Sequence, residues 1–369
     1  MHFYFKYGNI IYRIKKVVGD SMRCAALVGQ KKIEVENRTS PKGKKGYILI
    51  DVLKAGICGS DIHYWDLGAP QGLVMGHEFS GIVIDNGGSK FFKEGDKVTA
   101  LPITPCMKCR FCKEGNHQIC SETWSYAIGL TPDTPGGFGG RVLVREDMVR
   151  HLPNSISFES GAMIEPAAVA LRAVNISGVL KGDKVLVIGG GIIGLLTAYF
   201  LKLKGASYVA LTETNKARGE KAVKLGVADE WFNALDPKIN EKLMAKTNNV
   251  GFDVVADCCG NSAAVTTGII HTRPNGHLTL VGVSLESLTI PLISAVMKEI
   301  NIKGSIGYKP IEFDAIIKLL EAKKINLEKF IDDIVTLDDV QKSFERLTSG
   351  KDDAIKILVD PNKHKIIEI

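Results

Sequence analysis

Four cysteines, Cys106, Cys109, Cys112 and Cys120, are packed into a short stretch of chain. Intervals of two, two and seven intervening residues let several sulfurs converge at little cost in loop entropy, and Cys120 can close the shell. Four thiolates in a tetrahedron suit zinc in a closed, structural site. Iron–sulfur clusters use partly overlapping spacings and remain the alternative. A closed shell offers no open position, so such a metal would hold the lobe together and take no part in chemistry.

A second constellation is spread more widely. Cys58-Gly-Ser60-Asp-Ile-His63 precedes Gly76-His77-Glu78, and Glu165-Pro166 stands further on. Cys58, His77 and one carboxylate make three protein ligands. A three-ligand zinc keeps a fourth position for water or substrate, which is the arrangement of a catalytic site. Either Glu78 or Glu165 can supply the carboxylate.

A third motif is Gly189-Gly190-Gly191-Ile192-Ile193-Gly194, preceded by the apolar run Val185–Ile188. A G-x-G-x-x-G turn between strand and helix binds a dinucleotide. The first glycine makes the tight turn, the second lets the backbone approach a pyrophosphate, and the third packs helix on strand. The phosphates then face the helix N-terminus. Glu213 follows at the end of the next strand, where an acid binds ribose hydroxyls and repels a 2′-phosphate, favouring NAD over NADP. Arg218 and Lys216 follow closely and oppose that preference.

The elements that must carry these residues fall into two textures. From Met22 to about His151, short strands such as Tyr47–Ala55, Phe79–Asp85, Lys97–Ala100 and Gly140–Arg145 are broken by Gly, Pro and Asp. This is a β-rich, loop-rich domain. Beyond Ser157, strands alternate with helices: Lys184–Ile188, a helical run to Lys204, Tyr208–Thr212, Lys216–Leu225, Phe252–Asp257, Asn261–Ile270 and His277–Gly282. Alternation of this kind builds a parallel, doubly wound sheet, so the fold class is α/β. Two amphipathic helices follow Gly304, the second opened by Thr336 with Asp339, and a last strand covers Ile355–Val359. Residues 1–21 read as an N-terminal extension, since Met22 opens a strand-like stretch.

Composition excludes other classes. The chain has 369 residues, 45% hydrophobic and 24% charged, which suits two globular domains and not a disordered chain. The net charge of +6 comes without a dense basic run, so no nucleic-acid partner is expected. The longest uncharged run, Val185 to Leu201, is short for a membrane span and carries four glycines, so no membrane association is expected. Clustered cysteines in a large chain point to metal rather than disulfides. Residues 1–21 lack the order of a signal peptide, and the expected location is cytoplasmic.

Together, CGSDIHYW at Cys58–Trp65, GHEFSG at Gly76–Gly81, the Cys106–Cys120 lobe, Glu165-Pro166, Gly189–Gly194 and Glu213 resemble the zinc-dependent medium-chain alcohol dehydrogenases. Within them the sequence is most similar to the sorbitol, threonine and butanediol dehydrogenase branch. The resemblance implies a GroES-like catalytic domain at 22–165, an NAD-binding Rossmann domain at 166–304, and a return to the catalytic domain at 305–369. It implies one catalytic and one structural zinc per chain. Cys58 and His77 match the first two catalytic ligands, Glu165 matches the branch's glutamate, and Glu78 matches a glutamate that coordinates in some members. Ser60 matches the hydroxyl residue that touches the substrate oxygen, and His63 a proton-relay position. Ile192, Ile193, Val281 and Gly282 join the expected cofactor contacts. The implied activity is hydride transfer between NAD and a secondary alcohol, a polyol or other vicinal hydroxy compound. Threonine-type and sugar-phosphate dehydrogenases of the same fold are alternatives, as is an NAD-binding regulator without turnover. The family also implies a homodimer or homotetramer joined along Rossmann sheet edges, with Leu288–Leu292 as the expected edge strand.

Overall fold

In the computed structural model, residues 2–7, 10–15 and 21–362 are described, the first two stretches as paired backbone strands only. The chain divides into two compact units: Met1–Glu165 with Phe313–Ser349 and Lys356–Ile369, and Pro166–Glu312 with Gly350–Ile355.

The second unit is a six-stranded parallel sheet. Its spatial order is Glu230–Asn233, Tyr208–Glu213, Lys184–Ile188, Phe252–Asp257, Thr272–Leu280 and Asn301–Gly304. The first strand in sequence is central, the next two lie to one side and the last three to the other. This is the doubly wound order, with the topological switch between Lys184–Ile188 and Phe252–Asp257. The central strands are buried on both faces, so Val185, Leu186, Val187, Val254 and Val255 form a near-continuous β-branched and aliphatic core. The helix Ile192–Leu203 buries Leu195, Leu196, Ala198 and Leu201. It accounts for the long uncharged run as a strand, a glycine turn and a covered helix. No helix among the described residues is long and apolar enough to cross a membrane.

The first unit holds a seven-stranded sheet built on Tyr47–Gly56, which pairs with both Glu78–Asp85 and Arg141–Arg145. The chain returns late to this sheet. Ile357–Asp360 pairs antiparallel with the end of Tyr47–Gly56 and parallel with the outer strand Asp333–Thr336. A hairpin of Ser21–Gly29 and Lys32–Thr39 lies beside it in sequence. Phe79, Phe138, Ile48, Ile50 and Val98 are fully buried in this unit.

Three sequence expectations are corrected. The strand expected at His277–Gly282 starts at Thr272, because Pro274-Asn275-Gly276 forms a bulge, with a register shift and Asn275 at φ 55°, rather than a turn. Leu288–Leu292 is not a strand. Pro291 precedes the short helix Leu292–Met297, and the sheet edge is Asn301–Gly304. The helix that carries Glu165-Pro166 begins at Ile164, so Pro166 sits in its first turn, where no amide is needed. The helix Gly59–Leu67, absent from the expected strand pattern, carries Ser60 and His63. Of the expected extension 1–21, His2–Tyr7 and Ile10–Lys15 pair antiparallel, while Lys16–Asp20 lie outside the described residues.

Candidate functional site

In the first unit, the strand Tyr47–Gly56 delivers the chain to Cys58 at the start of the helix Gly59–Leu67. Asp61 fixes that start: its Oδ2 accepts the Cys58 amide at 2.9 Å. A carboxylate in the first helical turn is stabilised by unpaired amides and the helix dipole. The second arm comes from the adjacent strand. Gly76 has φ 94°, which a side chain would strain, and this turn leads His77 and Glu78 into the strand Glu78–Asp85. Cys58, His77 and Glu78 each offer a ligand atom, and these atoms lie within 4.8 Å of one another.

The electrostatics of this trio are those of a site built for a cation. Burial alone would lower the pKa of His77, but the charges of Cys58 and Asp61 outweigh it and hold it well above its ordinary value. Asp61 Oδ1 stands 3.5 Å from His77 Nδ1. His77 Nδ1, Asp61 Oδ1 and Glu78 Oε1 are buried without a hydrogen-bond partner. Buried polar atoms left unpaired are costly, and a divalent cation among thiolate, imidazole and carboxylate donors would satisfy them. The residues therefore fit zinc.

Glu78 has a second attachment. Its Oε2 is ion-paired with Lys356 Nζ, both side chains being fully buried, and Lys356 also donates to the Ile57 carbonyl at 2.9 Å. Neither Asp61 nor Lys356 was anticipated. Asp61 was legible as an acid three residues after a helix-capping position. Lys356 was legible as a lone cation in the apolar run Ala354–Val359. Glu165 is buried in the opening turn of Ile164–Ile176 and is not a member of the trio. Ser60 is half-buried and His63 is exposed.

The cysteine lobe assembles as its spacing implied. Ligand atoms of Cys106, Cys109, Cys112 and Cys120 all lie within 4.8 Å of one another. The amides of Cys106, Cys109 and Cys112 point at the sulfurs of Cys120, Cys106 and Cys109 at 3.3–3.5 Å. Backbone N–H groups aimed at sulfur favour thiolate. For Cys120, burial pushes the thiol up, yet the amides of Cys106 and Glu122 prevail and hold it at about 6. Burial, and then the neighbouring sulfurs of Cys109 and Cys120, push Cys112 up to about 12.

The glycine turn stands in the second unit, at the switch point. Gly189 has φ 103°, and a Cβ there would meet Cys259 Sγ at 2.6 Å. A Cβ on Gly194 would collide with the Gly189 carbonyl, so the third glycine sets how closely helix and strand pack. At Gly191 nothing lies within 4 Å of the Cβ position, leaving the space a pyrophosphate needs. Ile192 and Ile193 open the helix behind it. Glu213 Oε2 accepts the Gly190 amide at 2.7 Å, and Oε1 accepts the amides of Thr214 and Asn215. The carboxylate is thus fixed beside the turn. Arg218 is partly committed elsewhere, its Nη2 donating to the Ala354 carbonyl at 2.8 Å. The amides of Val281 and Gly282 bond the Asp257 carbonyl, and Gly282 packs against Gly260.

Two family models match the chain. The alcohol dehydrogenase GroES-like domain covers residues 44–154, and the zinc-binding dehydrogenase model covers 193–322. "Probable D-xylulose reductase A" of Emericella nidulans is 33% identical over 344 residues, covering 90% of this chain and 94% of that protein. D-xylulose reductase A of Aspergillus niger is 32% identical, with 90% and 95% coverage. Among solved structures, 2R,3R-butanediol dehydrogenase from Bacillus subtilis superposes with a TM-score of 0.82 at 32% identity, covering 93% of this chain and all of that one.

Proposed function

The chain belongs to the zinc-dependent medium-chain alcohol dehydrogenases, and from that premise we propose that it oxidises a secondary alcohol of a polyol or vicinal diol with NAD, and reduces the matching ketone. The observation that carries this reading is the trio Cys58, His77 and Glu78, with the buried atoms His77 Nδ1, Glu78 Oε1 and neighbouring Asp61 Oδ1 lacking partners. D-xylulose and 2R,3R-butanediol, for which these relatives are named, both carry oxygen on adjacent carbons, and we carry that substrate class to this chain.

Zinc at the trio supplies Lewis acidity that makes a substrate hydroxyl more acidic. NAD supplies the hydride acceptor. The chain's own groups do the rest. Cys58 and His77 hold the cation, and Asp61 orients both through the Cys58 amide and its place beside His77. Glu78 completes the donor set. Ser60 receives the substrate proton and His63, exposed on the same helix, passes it to water. The Gly189–Gly194 turn takes the pyrophosphate on its amides, Glu213 takes the adenosine ribose hydroxyls, and Cys106, Cys109, Cys112 and Cys120 hold the structural zinc. The domains we assign follow the two compact units rather than the return at 305 expected from the sequence: catalytic at 22–165, 313–349 and 356–369, and cofactor-binding at 166–312 and 350–355.

We also propose a homo-oligomer in the cytoplasm. The edge strand Asn301–Gly304 is exposed throughout, and Leu292, Ile293, Val296, Met297 and Ile302 are exposed beside it in sequence. An apolar edge of this kind is a template for pairing. All eight cysteines are free, which suits a reducing compartment. Light scattering should report a multiple of 40.1 kDa, falling toward one chain in an Ile302→Glu, Met297→Glu variant; a monomeric wild type refutes the pairing.

The function is tested by NADH formation at 340 nm over xylitol, sorbitol, butanediols, inositols, threonine and sugar phosphates, with NADP in parallel. Turnover with polyols or diols and NAD is expected. Turnover with threonine or a sugar phosphate alone moves the substrate class, and none with any alcohol refutes catalysis.

A further inference from the structure

The strand Tyr47–Gly56 ends in a glycine whose neighbours explain its lack of a side chain. Gly56 lies opposite Glu78 in the sheet on one side and opposite Leu358 on the other. A Cβ built on it would land on Glu78 Oε2 and stand 2.9 Å from both Cε and Nζ of Lys356. Gly56 is not in the left-handed region, so its backbone does not demand glycine. The space beside it is what the buried Glu78–Lys356 ion pair occupies.

The carboxylate of Glu78 is therefore divided. Oε2 is held by the Lys356 ammonium, Oε1 is buried without a partner, and one oxygen of the carboxylate lies within 4.8 Å of ligand atoms of Cys58 and His77. Lys356 is itself anchored by the Ile57 carbonyl, one residue before Cys58, so it cannot follow the carboxylate freely. An ammonium is a compact point charge that competes directly with a cation for carboxylate oxygen.

We propose that Gly56 and Lys356 are a positioning pair that limits Glu78 to a weak, one-oxygen attachment to the metal. Gly56 supplies the room in which Oε2 rests, and Lys356 supplies the charge that keeps it there. The carboxylate can then loosen its hold without leaving a buried charge unpaired, because the ammonium remains beside it. This rests on reading Cys58, His77 and Glu78 as a metal centre.

The test exchanges cobalt(II) into that centre, leaving zinc on the Cys106–Cys120 quartet. Visible cobalt bands and the rate of cobalt loss to a chelator are read on the whole protein. Cys58→Ser identifies the bands that belong to the site. Lys356→Met should let both oxygens turn to the metal, shifting the bands and slowing release at least tenfold. Gly56→Ala should displace Oε2 in the same direction, and Lys356→Arg should restore wild-type bands. Adding Glu78→Gln to either variant should abolish its effect. Unchanged bands and release in Lys356→Met and Gly56→Ala overturn the proposal, as does an effect that survives Glu78→Gln. If Gly56→Ala does not fold, Lys356→Met decides alone, and unchanged bands and release in it overturn the proposal. If wild-type protein takes up no cobalt that Cys58→Ser removes, the metal-centre reading fails instead.

Discussion

Replacing Glu213 by alanine probes the cofactor site where its geometry is best defined. Oε2 accepts the Gly190 amide at 2.7 Å, while Oε1 accepts the amides of Thr214 and Asn215 at 2.7 and 2.9 Å. Thr214 is exposed and Asn215 half-buried, so water can replace Oε1 for those amides. Gly190 is buried, and its amide loses an ionic acceptor at the turn that receives the pyrophosphate. One such loss costs about 1–3 kcal/mol. A loss of that size by itself weakens NAD by roughly 5- to 150-fold, and the missing ribose contacts add to it. The same change removes the charge that repels a 2′-phosphate, so NADP efficiency should hold or rise. Glu213→Gln separates the terms: it keeps an acceptor for Gly190 and loses only the repulsion. Initial rates with each cofactor give both ratios. An unchanged NAD-to-NADP ratio in Glu213→Ala would show that another residue discriminates.

Three further outcomes are expected. Glu78→Ala should release its open-site zinc to a chelator faster than wild type, whereas Glu165→Ala, outside the trio, should keep two zinc ions and lose at most about 100-fold in turnover; elemental analysis after chelator treatment, beside kinetics, decides. Cys109→Ser should leave one zinc per chain and forfeit about 3–4 kcal/mol of ligand-linked stability, lowering Tm by roughly 6–16 °C in calorimetry. His271 is buried with Nε2 on Asn240 at 2.9 Å, and burial, then the charge of Lys298, lowers its pKa to about 4. The folded state thus disfavours the proton, so this stability is present above about pH 6.5 and is lost as pH falls toward 4, by at most about 3 kcal/mol. Urea midpoints across that range should fall less steeply in His271→Gln.

What the sequence disclosed follows from range. The Cys106–Cys120 lobe and the Gly189–Gly194 turn are local, and short loops force their geometry once the residue types are known. Lys184–Ile188 and Phe252–Asp257 were legible with their bounds because buried parallel strands are continuous apolar runs. The open site joins distant segments, and residue types alone left two glutamates competing; the pairing of Tyr47–Gly56 with Glu78–Asp85 is what brings Glu78 beside Cys58. Lys356 meets Glu78 from 278 residues away, a contact that only sheet pairing can specify. Glu230–Asn233 is too short and mixed to declare itself, and it exists because Tyr208–Glu213 offers a free edge. LTIPL at Leu288–Leu292 has strand composition, but Pro291 turns it into the start of a helix and leaves the edge to Asn301–Gly304.

The central claim is that one exchangeable zinc, held by Cys58, His77 and Glu78, makes this chain an NAD-linked polyol dehydrogenase. The direct measurement is the initial rate of NADH formation against zinc content while a chelator strips the more labile ion and zinc is then restored. The rate should fall to background as content drops from two per chain to one, and should return in proportion as the second ion rebinds. Full turnover at one zinc per chain, or background turnover at two with every polyol and diol tried, would contradict it.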